Sequence, residues 1–529
     1  MSSDQFSSTA SSAPSSSDRV RIRLEPLAVE LELPRGGSLV AGLAAHGFEF
    51  PCGGVGECGG CQVRVLSGSL AVTEADAATL TAERLAQGWR LACRARAGEP
   101  LVLECGQWHM EILSDTAPCP ILSVSATADA ERVGETKVKR HNLGVVIDLG
   151  TTTIAAQLID AATGDVLGVE TALNPQAAFG SDVMSRVRAA LEGKDLTAPI
   201  RAALGEIVAR LARERAPQVA EVLLVGNTVM HHLFCGLDVE PLSHVPFAPP
   251  HLGEQRFTAR DLGWKLKADC TVRFARCIGG FVGSDILAGI VAVGIARGDD
   301  LIALVDLGTN GEIAIGNRHG IVCASTAAGP AFEAGSIQMG MRAVTGAIAY
   351  VALGEDALSG SALRPTVIGD VRPRGICGSG LVDAVAAGLR SGAILANGRV
   401  ADGSKIFPVA PPVVLYQSDI RELQLAKGAI AGGFRLLLKR LNADVSALGA
   451  IHLAGAFGNY IQIESALRIG LLEAPHAIIH AAGNTALRGA KLLHLGGEPA
   501  LPLIEHVNLA ADAAFQDEFA ACMSFPEPE

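Results

Sequence analysis

The sequence predicts a multidomain chain of mixed α/β and α+β class, and three observations carry that expectation. Aromatic rings are scarce (16 Phe, 3 Tyr, 3 Trp) while 49% of the 529 residues are hydrophobic. The cores must therefore be built from Ala, Val, Leu and Ile, the composition of buried parallel strands and close-packed helices. Glycine is abundant, 60 of 529 residues, against a usual share of about 7%, and it gathers at the ends of apolar strands. Finally, a long apolar strand running into Asp-Leu-Gly-Thr occurs twice, at Asp148 and at Asp306. A prior of about 150 residues per domain allows three or four domains.

The net charge of −12 argues against a nucleic-acid binder or a polybasic membrane anchor. Mean hydropathy is positive at +0.33, yet the longest apolar run, Ile286 to Ala296, is too short to span a bilayer. Residues 1–18 read as a Ser-rich disordered tail with neither the basic nor the apolar region of a signal peptide. The expected compartment is the reducing cytoplasm. There, clustered cysteines more often mean metal or redox work than disulfides.

Four of the 12 cysteines cluster near the start: Cys52, Cys58 and Cys61 in a C-x5-C-x2-C run, and Cys93. Iron–sulfur clusters are held by thiolates, and their sulfides accept hydrogen bonds from nearby backbone. Gly53, Gly54, Gly56, Gly59 and Gly60 allow the chain that close approach. A zinc site uses the same thiolates but usually two C-x2-C knuckles, and one is present. CGGC as a thioredoxin-like pair should open a helix, whereas QVRV after it reads as strand. Gly54 to Gly59 also matches G-x-G-x-x-G, but it lies between two cysteines and opens no helix. Cys105 and Cys119 read as ordinary thiols, with Cys105 a conceivable substitute ligand.

The flanks alternate as VRIRL and AVELEL, a hairpin, followed by a short helix, a strand, a helix capped by Thr73, and the strand PLVLEC. This order resembles the β-grasp of [2Fe–2S] ferredoxins, with the spacing of the adrenodoxin-type variant. The expected domain spans 19–112. Between 113 and 142 periodicity fades and the chain reads as a linker.

From 143 to 529 the character changes to apolar strands ending in glycine turns. Val145 to Thr153 is echoed by Ala303 to Gly311, 158 positions on, and each is followed by a second strand. Backbone N–H groups and Thr hydroxyls of such a turn can donate to phosphate, and the strand-end Asp can hold Mg²⁺ through water. Two further strands end in glycine and Asn, VLLVGNT from Val222 and IHLAGAFGN from Ile451, giving one order in both halves. A P-loop is absent from the sequence. The arrangement resembles the acetate and sugar kinase, Hsp70 and actin superfamily, an actin-like ATPase of two ribonuclease-H-like lobes, here about 143–290 and 300–520.

That resemblance implies specific residues. Asp148, Gly150, Thr151, Thr152 and Thr153 match its first phosphate loop. Asp306, Gly308, Thr309, Asn310 and Gly311 match the second, and Gly455, Ala456, Phe457 and Gly458 the adenosine motif. Asp285 takes the place of the water-orienting acid on the connecting helix, or else caps that helix after Gly283-Ser284.

A [2Fe–2S] ferredoxin, a linker and an actin-like ATPase in one chain resembles the reductive activators of corrinoid proteins. Three more stretches carry the likeness: Asn174–Gln176 with Gly180–Val183, Ala328–Glu333, and Ile376–Gly380. The family's task is ATP-dependent, one-electron reduction of Co(II) to Co(I) in a corrinoid protein of a methyltransferase system, fed by an external electron donor. Plant-type clusters lie near about −400 mV, and the cobalt couple lies lower, so the transfer needs coupling to ATP. The resemblance further suggests a homodimer through the ATPase domain, with helices at Ile430–Leu441 or Val382–Leu395 as candidates. Alternatives are an activator of a 2-hydroxyacyl-CoA dehydratase or benzoyl-CoA reductase type, which bridges a cluster with ATPase-domain cysteines, and a redox-sensing small-molecule kinase. His231 and His232 are expected beside the VGNT turn, one packed and one exposed.

Overall fold

Alternation of apolar and charged side chains sets the first sheet. In the computed structural model, Arg19–Glu25 turns every second residue (Val20, Ile22, Leu24) into the core. It pairs antiparallel with Val29–Pro34 and parallel with the last strand, Leu101–Cys105. Gln62–Ser67 and Trp89–Leu91 complete a five-stranded sheet in which the first and last strands are central neighbours, the β-grasp arrangement. The structure describes residues 19–25, 29–44, 61–105, 143–180, 182–308, 310–334, 336–354 and 363–527. The tail, the linker, Cys52, Cys58 and Thr309 lie outside them.

One expected helix is broken. Thr73 caps Glu74–Thr79 as foreseen, its side chain accepting from the Asp76 N–H while the Asp76 carboxylate accepts from the Thr73 N–H. Leu80 is then extended, and Thr81 accepts from the Arg84 N–H, so a second helix, Ala82–Ala86, begins. A β-branched hydroxyl residue serves better as a cap than as a helix interior.

The chain divides into two compact units, Met1–Met110 and, apart from residues 344–346, Glu111–Glu529. In the second unit the duplication is visible as topology. Leu143–Leu149 forms antiparallel pairs outward through Thr153–Asp160 to Val166–Leu173, and parallel pairs on its other side through Val219–Val225 to Thr271–Phe274. Leu301–Leu307 repeats this with Gly311–Asn317, Gly320–Thr326, Leu448–Ala454 and Ile479–Gly483. Both are ribonuclease-H-like sheets. The second carries an insertion between its third and fourth strands that includes the helices Gly378–Arg390 and Gln417–Arg440.

Each lobe is closed by a helix reached from the other. Ser284–Val293 follows the first lobe's last strand, yet its Ile286 and Ile290 pack with Leu304, Ala314 and Ala454 of the second sheet. Thr485–Gly496 follows the second sheet, yet its Ala486, Leu487, Ala490 and Leu493 pack with Val146, Ala155, Leu223 and Val225 of the first. The exchange locks the lobes together and brings Asn484, at the start of the second helix, to the strand end of the first lobe at Asp148.

The helices named as dimer candidates are interior. Val382, Val385, Ile430 and Leu437 are buried in the second lobe's core, so a homodimer through the ATPase unit would have to use other surfaces.

Candidate functional site

Both Asp-Leu-Gly-Thr turns end their strands in one cleft. Asp148 lies in register with Ala155 on one side and Val225 on the other, and Asp306 with Glu312 and Ala454. Beyond each parallel neighbour comes a glycine that lets the next turn close in. A Cβ on Gly226 would stand 2.6 Å from the Leu149 carbonyl oxygen, and one on Gly455 2.7 Å from that of Leu307 and 2.5 Å from Asp306 Oδ1. Gly455 also has φ +81°, a conformation side chains disfavour. The repeat found in the sequence is thus a repeat of geometry.

The first turn is fixed by two asparagines. Asn174 donates from Nδ2 to the Gly150 carbonyl at 2.9 Å and from its backbone to Thr152, and its own oxygen accepts from the Gln176 N–H. Asn227 donates to Thr151 Oγ1 at 2.9 Å while capping the helix Thr228–Cys235. The stretch Asn174–Gln176, for which sequence reasoning found no role, therefore braces this loop. Behind it the buried Arg186 donates to the Gly180 carbonyl at 3.0 Å.

The connecting helix enters at Gly226. Its Ser284 N–H donates to the Gly226 carbonyl at 2.9 Å and its hydroxyl accepts from the Gly226 N–H at 3.1 Å. Gly283 is the cap residue, without side-chain help, so Asp285 is not the cap. It is the second residue of the first turn, with one oxygen accepting from the Ile286 N–H at 2.8 Å. On the other helix, Asn484 at the cap donates to Asp148 Oδ2 at 2.8 Å.

Three carboxyls predicted from sequence thus share the cleft. Burial raises Asp148 to about 6, against the opposing Asn484 hydrogen bond. Burial and then the Asp148 charge raise Asp306 to about 7, and burial and then the Asp306 charge raise Asp285 to about 8. A fourth, Glu312, was missed. It is 8% exposed, held well above the usual carboxylate range by burial and by Asp285 and Asp306, and its Oε1 accepts from Ser325 Oγ at 3.1 Å. The signal was available: Glu312 is the one charged residue in the otherwise apolar strand Gly311–Asn317.

The adenosine-motif residues Gly455, Phe457 and Gly458 lie in the short helix Gly455–Tyr460, directly beside Asp306. Two other family-like stretches converge there. The Phe457 ring packs on Phe332 at 4.8 Å. A Cβ on Gly378, at the start of the helix Gly378–Arg390, would lie 3.2 Å from the Phe457 ring and 2.6 Å from the Phe332 carbonyl carbon. Ala328–Glu333, Ile376–Gly380 and the Gly455 turn therefore form one wall. Gly308 and Asn310 close the second turn, the Gly308 N–H donating to the Asn310 carbonyl at 3.0 Å. Among the described residues no group of three or more His, Cys, Asp or Glu is placed to hold a metal ion directly. Outer-sphere binding through water, as Mg²⁺ favours, fits this donor set.

In the N-terminal unit the Ala92 N–H donates to the Cys61 carbonyl at 2.8 Å, extending the pairing of Gln62 with Leu91. It sets Cys61 and Cys93 on adjoining, buried segments. Two thiols on adjoining segments of a sheet fit half of the donor set that a [2Fe–2S] cluster takes. Asp76 braces the same place, its Oδ1 accepting from the Leu91 N–H at 2.6 Å. Cys105 lies in the core, where burial pushes its thiol up, and is an ordinary thiol. In the ATPase unit Cys270, Cys277, Cys323, Cys377 and Cys522 are buried and Cys235 is half-buried, and among the described residues no three of them gather as ligands of a second cluster. His231 and His232 are both buried, not one exposed. His231 stands edge-on to Phe274 at 4.9 Å, and burial lowers it to about 4. These are packing histidines.

Family comparison agrees along the chain. Residues 22–98 match the 2Fe-2S iron-sulfur cluster binding domain, 143–298 the RACo middle region, and 300–529 the C-terminal ASKHA domain of RACo. The corrinoid activation enzyme RamQ of Eubacterium limosum is 34% identical over 416 residues, covering 71% of this chain and 69% of that protein. The [Co(II) methylated amine-specific corrinoid protein] reductase of Methanosarcina barkeri is 25% identical over 420 residues, covering 72% and 77%. A solved reductive activator for corrinoid, iron-sulfur protein matches with a TM-score of 0.63 at 26% identity, over 96% of this chain and 99% of that one. Among the described residues no helix is long and apolar enough to cross a membrane. With a ferredoxin-type domain joined to a two-lobed ASKHA ATPase fold, this chain belongs to the family of reductive activators of corrinoid proteins.

Proposed function

We propose that the chain returns a corrinoid protein to its active form by ATP-dependent, one-electron reduction of Co(II) to Co(I), drawing the electron from an external donor. The observation that carries this reading is the paired strand-end carboxyls, Asp148 and Asp306, in a cleft between exchanged lobes, in a chain that also brings Cys61 and Cys93 together. Cys52, Cys58, Cys61 and Cys93 are the thiolates that would hold a [2Fe–2S] cluster, which when bound supplies one-electron transfer at low potential.

In the ATPase unit, the loop Gly150–Thr153, braced by Asn174 and Asn227, and the loop Gly308–Gly311 with Thr309 grip the phosphates from opposite lobes. Asp148 and Asp306 are the carboxyls that would hold Mg²⁺, which when bound would neutralise charge on the phosphates. The wall of Gly455, Ala456, Phe457 and Gly458 takes the adenosine. Asp285, at the start of the connecting helix and free of the capping role, orients the attacking water.

Coupling follows from differential affinity. Closing the lobes on ATP favours the reduced cobalt product only so far as the ATP-bound chain prefers that state of its partner. For one electron, every 59 mV or so of uphill potential requires about a tenfold preference. Hydrolysis then releases the partner and resets the lobes. The test is Asp306→Ala, expected to abolish ATP hydrolysis while the visible cluster spectrum stays intact. Loss of both in a folded protein would break the two-module reading.

A further inference from the structure

The duplicated lobes present two equivalent positions around their strand-end carboxyls, and their chemistry differs. Beside Asp148 the antiparallel neighbour is Ala155, and the second residue of the facing helix is Ala486; both belong to one apolar cluster with Val225. Beside Asp306 the antiparallel neighbour is Glu312, and the second residue of the facing helix is Asp285. Alanine at both places packs well enough in the first lobe. A carboxyl kept under a packed helix is costly unless it is used.

Placement follows from register. Directly opposed residues of antiparallel strands share a face. The face carrying Asp306 and Glu312 also carries Leu304 and Ala314, which pack on Ile286 and Ile290 of the helix that Asp285 begins. Glu312 therefore stands directly opposite Asp306, on the sheet face that the Asp285 helix covers. Its strand partner on the other side, Ser325, donates to Oε1 at 3.1 Å and fixes the side chain.

We propose that Glu312 is a second water-orienting group, so that hydrolysis is carried out from the second lobe by Asp285 and Glu312 while the first lobe only grips the nucleotide. The water oxygen bonds to the γ-phosphorus as the bond to the β–γ bridging oxygen breaks. ADP leaves with that electron pair, and the surplus proton of the water passes to this carboxyl pair and on to solvent. The proposal rests on the ATPase reading above.

The experiment is steady-state ATP hydrolysis by the full chain, cluster reconstituted, with Glu312→Gln and Ser325→Ala. Glu312→Gln is expected to lower kcat by about 100-fold or more, the size of a lost proton-handling group, with KM for ATP within about threefold. Ser325→Ala, which removes only the support, is expected to lower kcat by about three- to tenfold with KM unchanged, and it carries the test if Glu312→Gln fails to fold. Glu312→Gln hydrolysing within about threefold of wild type, or either variant losing kcat and affinity in step, overturns the proposal. A wild-type chain that does not hydrolyse ATP overturns the ATPase reading itself, and this proposal with it.

Discussion

Exchange of the closing helices requires them to cross at close range, and Gly489→Ala tests that crossing. A Cβ at Gly489 would stand 2.7 Å from the Ala288 Cα, and nearer still to its carbonyl, in the partner helix. Carbon atoms in ordinary contact lie about 3.5–4.0 Å apart, so the helices must part by about 1 Å. Both sides of the clash are backbone, which cannot rotate away. Overpacking of this kind costs about 1–3 kcal/mol, offset by about 0.5–1 kcal/mol for replacing a helical glycine. A Cβ on Gly496, at the end of the same helix, would meet nothing within 4 Å, so Gly496→Ala is the matched control and is expected to be neutral or slightly stabilising. Urea unfolding followed by far-UV circular dichroism, with cluster absorbance recorded in parallel for the N-terminal unit, should separate the two variants by about 1–3 kcal/mol at constant m. ATP hydrolysis should fall in Gly489→Ala as well, because Asp285 and Asn484 stand at the first turns of the helices being parted. Equal unfolding midpoints for the two variants would refute the crossing.

Other expectations follow from the same geometry. Cys58→Ser should abolish the electron paramagnetic resonance signal of the reduced cluster while ATP hydrolysis continues; a retained signal removes the four-thiolate assignment. Asn174→Ala removes the side-chain bonds to the Gly150 carbonyl and from the Gln176 N–H, and should raise KM for ATP about tenfold or more, the loss of one or two buried hydrogen bonds; an unchanged KM contradicts the bracing role. Asp148, Asp306 and Asp285 titrate near 6, 7 and 8, above the ordinary carboxylate value of 3.8. Folded-state values above the unfolded one mean that the folded chain takes up protons. Their contribution is therefore fully present below about pH 4 and is lost as pH rises through 6 to 8. Mg²⁺ with ADP replaces those protons, so the rise in Tm it produces should be larger at pH 8 than at pH 6. A rise that is equal or smaller at pH 8 contradicts this account of the cleft.

What was legible in the sequence was whatever one strand or one turn encodes locally. Alternation in Arg19–Glu25, the apolar strands ending at Asp148 and Asp306, and the Thr73 cap all translate directly into backbone. What was not legible depends on which elements meet. Periodicity shows that Ile286 and Ile290 lie on one helix face but not that this face belongs to the other lobe's sheet. Nor does it assign a role to Asn174 or Phe332, whose partners lie 24 and 125 positions away in Gly150 and Phe457. Glu312 was legible as the one charge in its strand, but the 158-position repeat sets it against Ile154, and only the strand register makes Ala155 its counterpart. The His231–His232 pair misled because adjacency on a helix puts side chains on different faces, and here both faces are covered, His231 packing against Phe274 and His232 bonding back to the Thr228 carbonyl.

Formation of Co(I) tests the central claim most directly. Under anaerobic conditions the reconstituted chain, a strong reductant and a Co(II) corrinoid protein are mixed with and without Mg²⁺ and ATP, and the Co(I) absorbance is followed. The account predicts Co(I) only when ATP is present, and none with Asp306→Ala. Co(I) appearing at the same rate without ATP, or never appearing with it, would contradict the account.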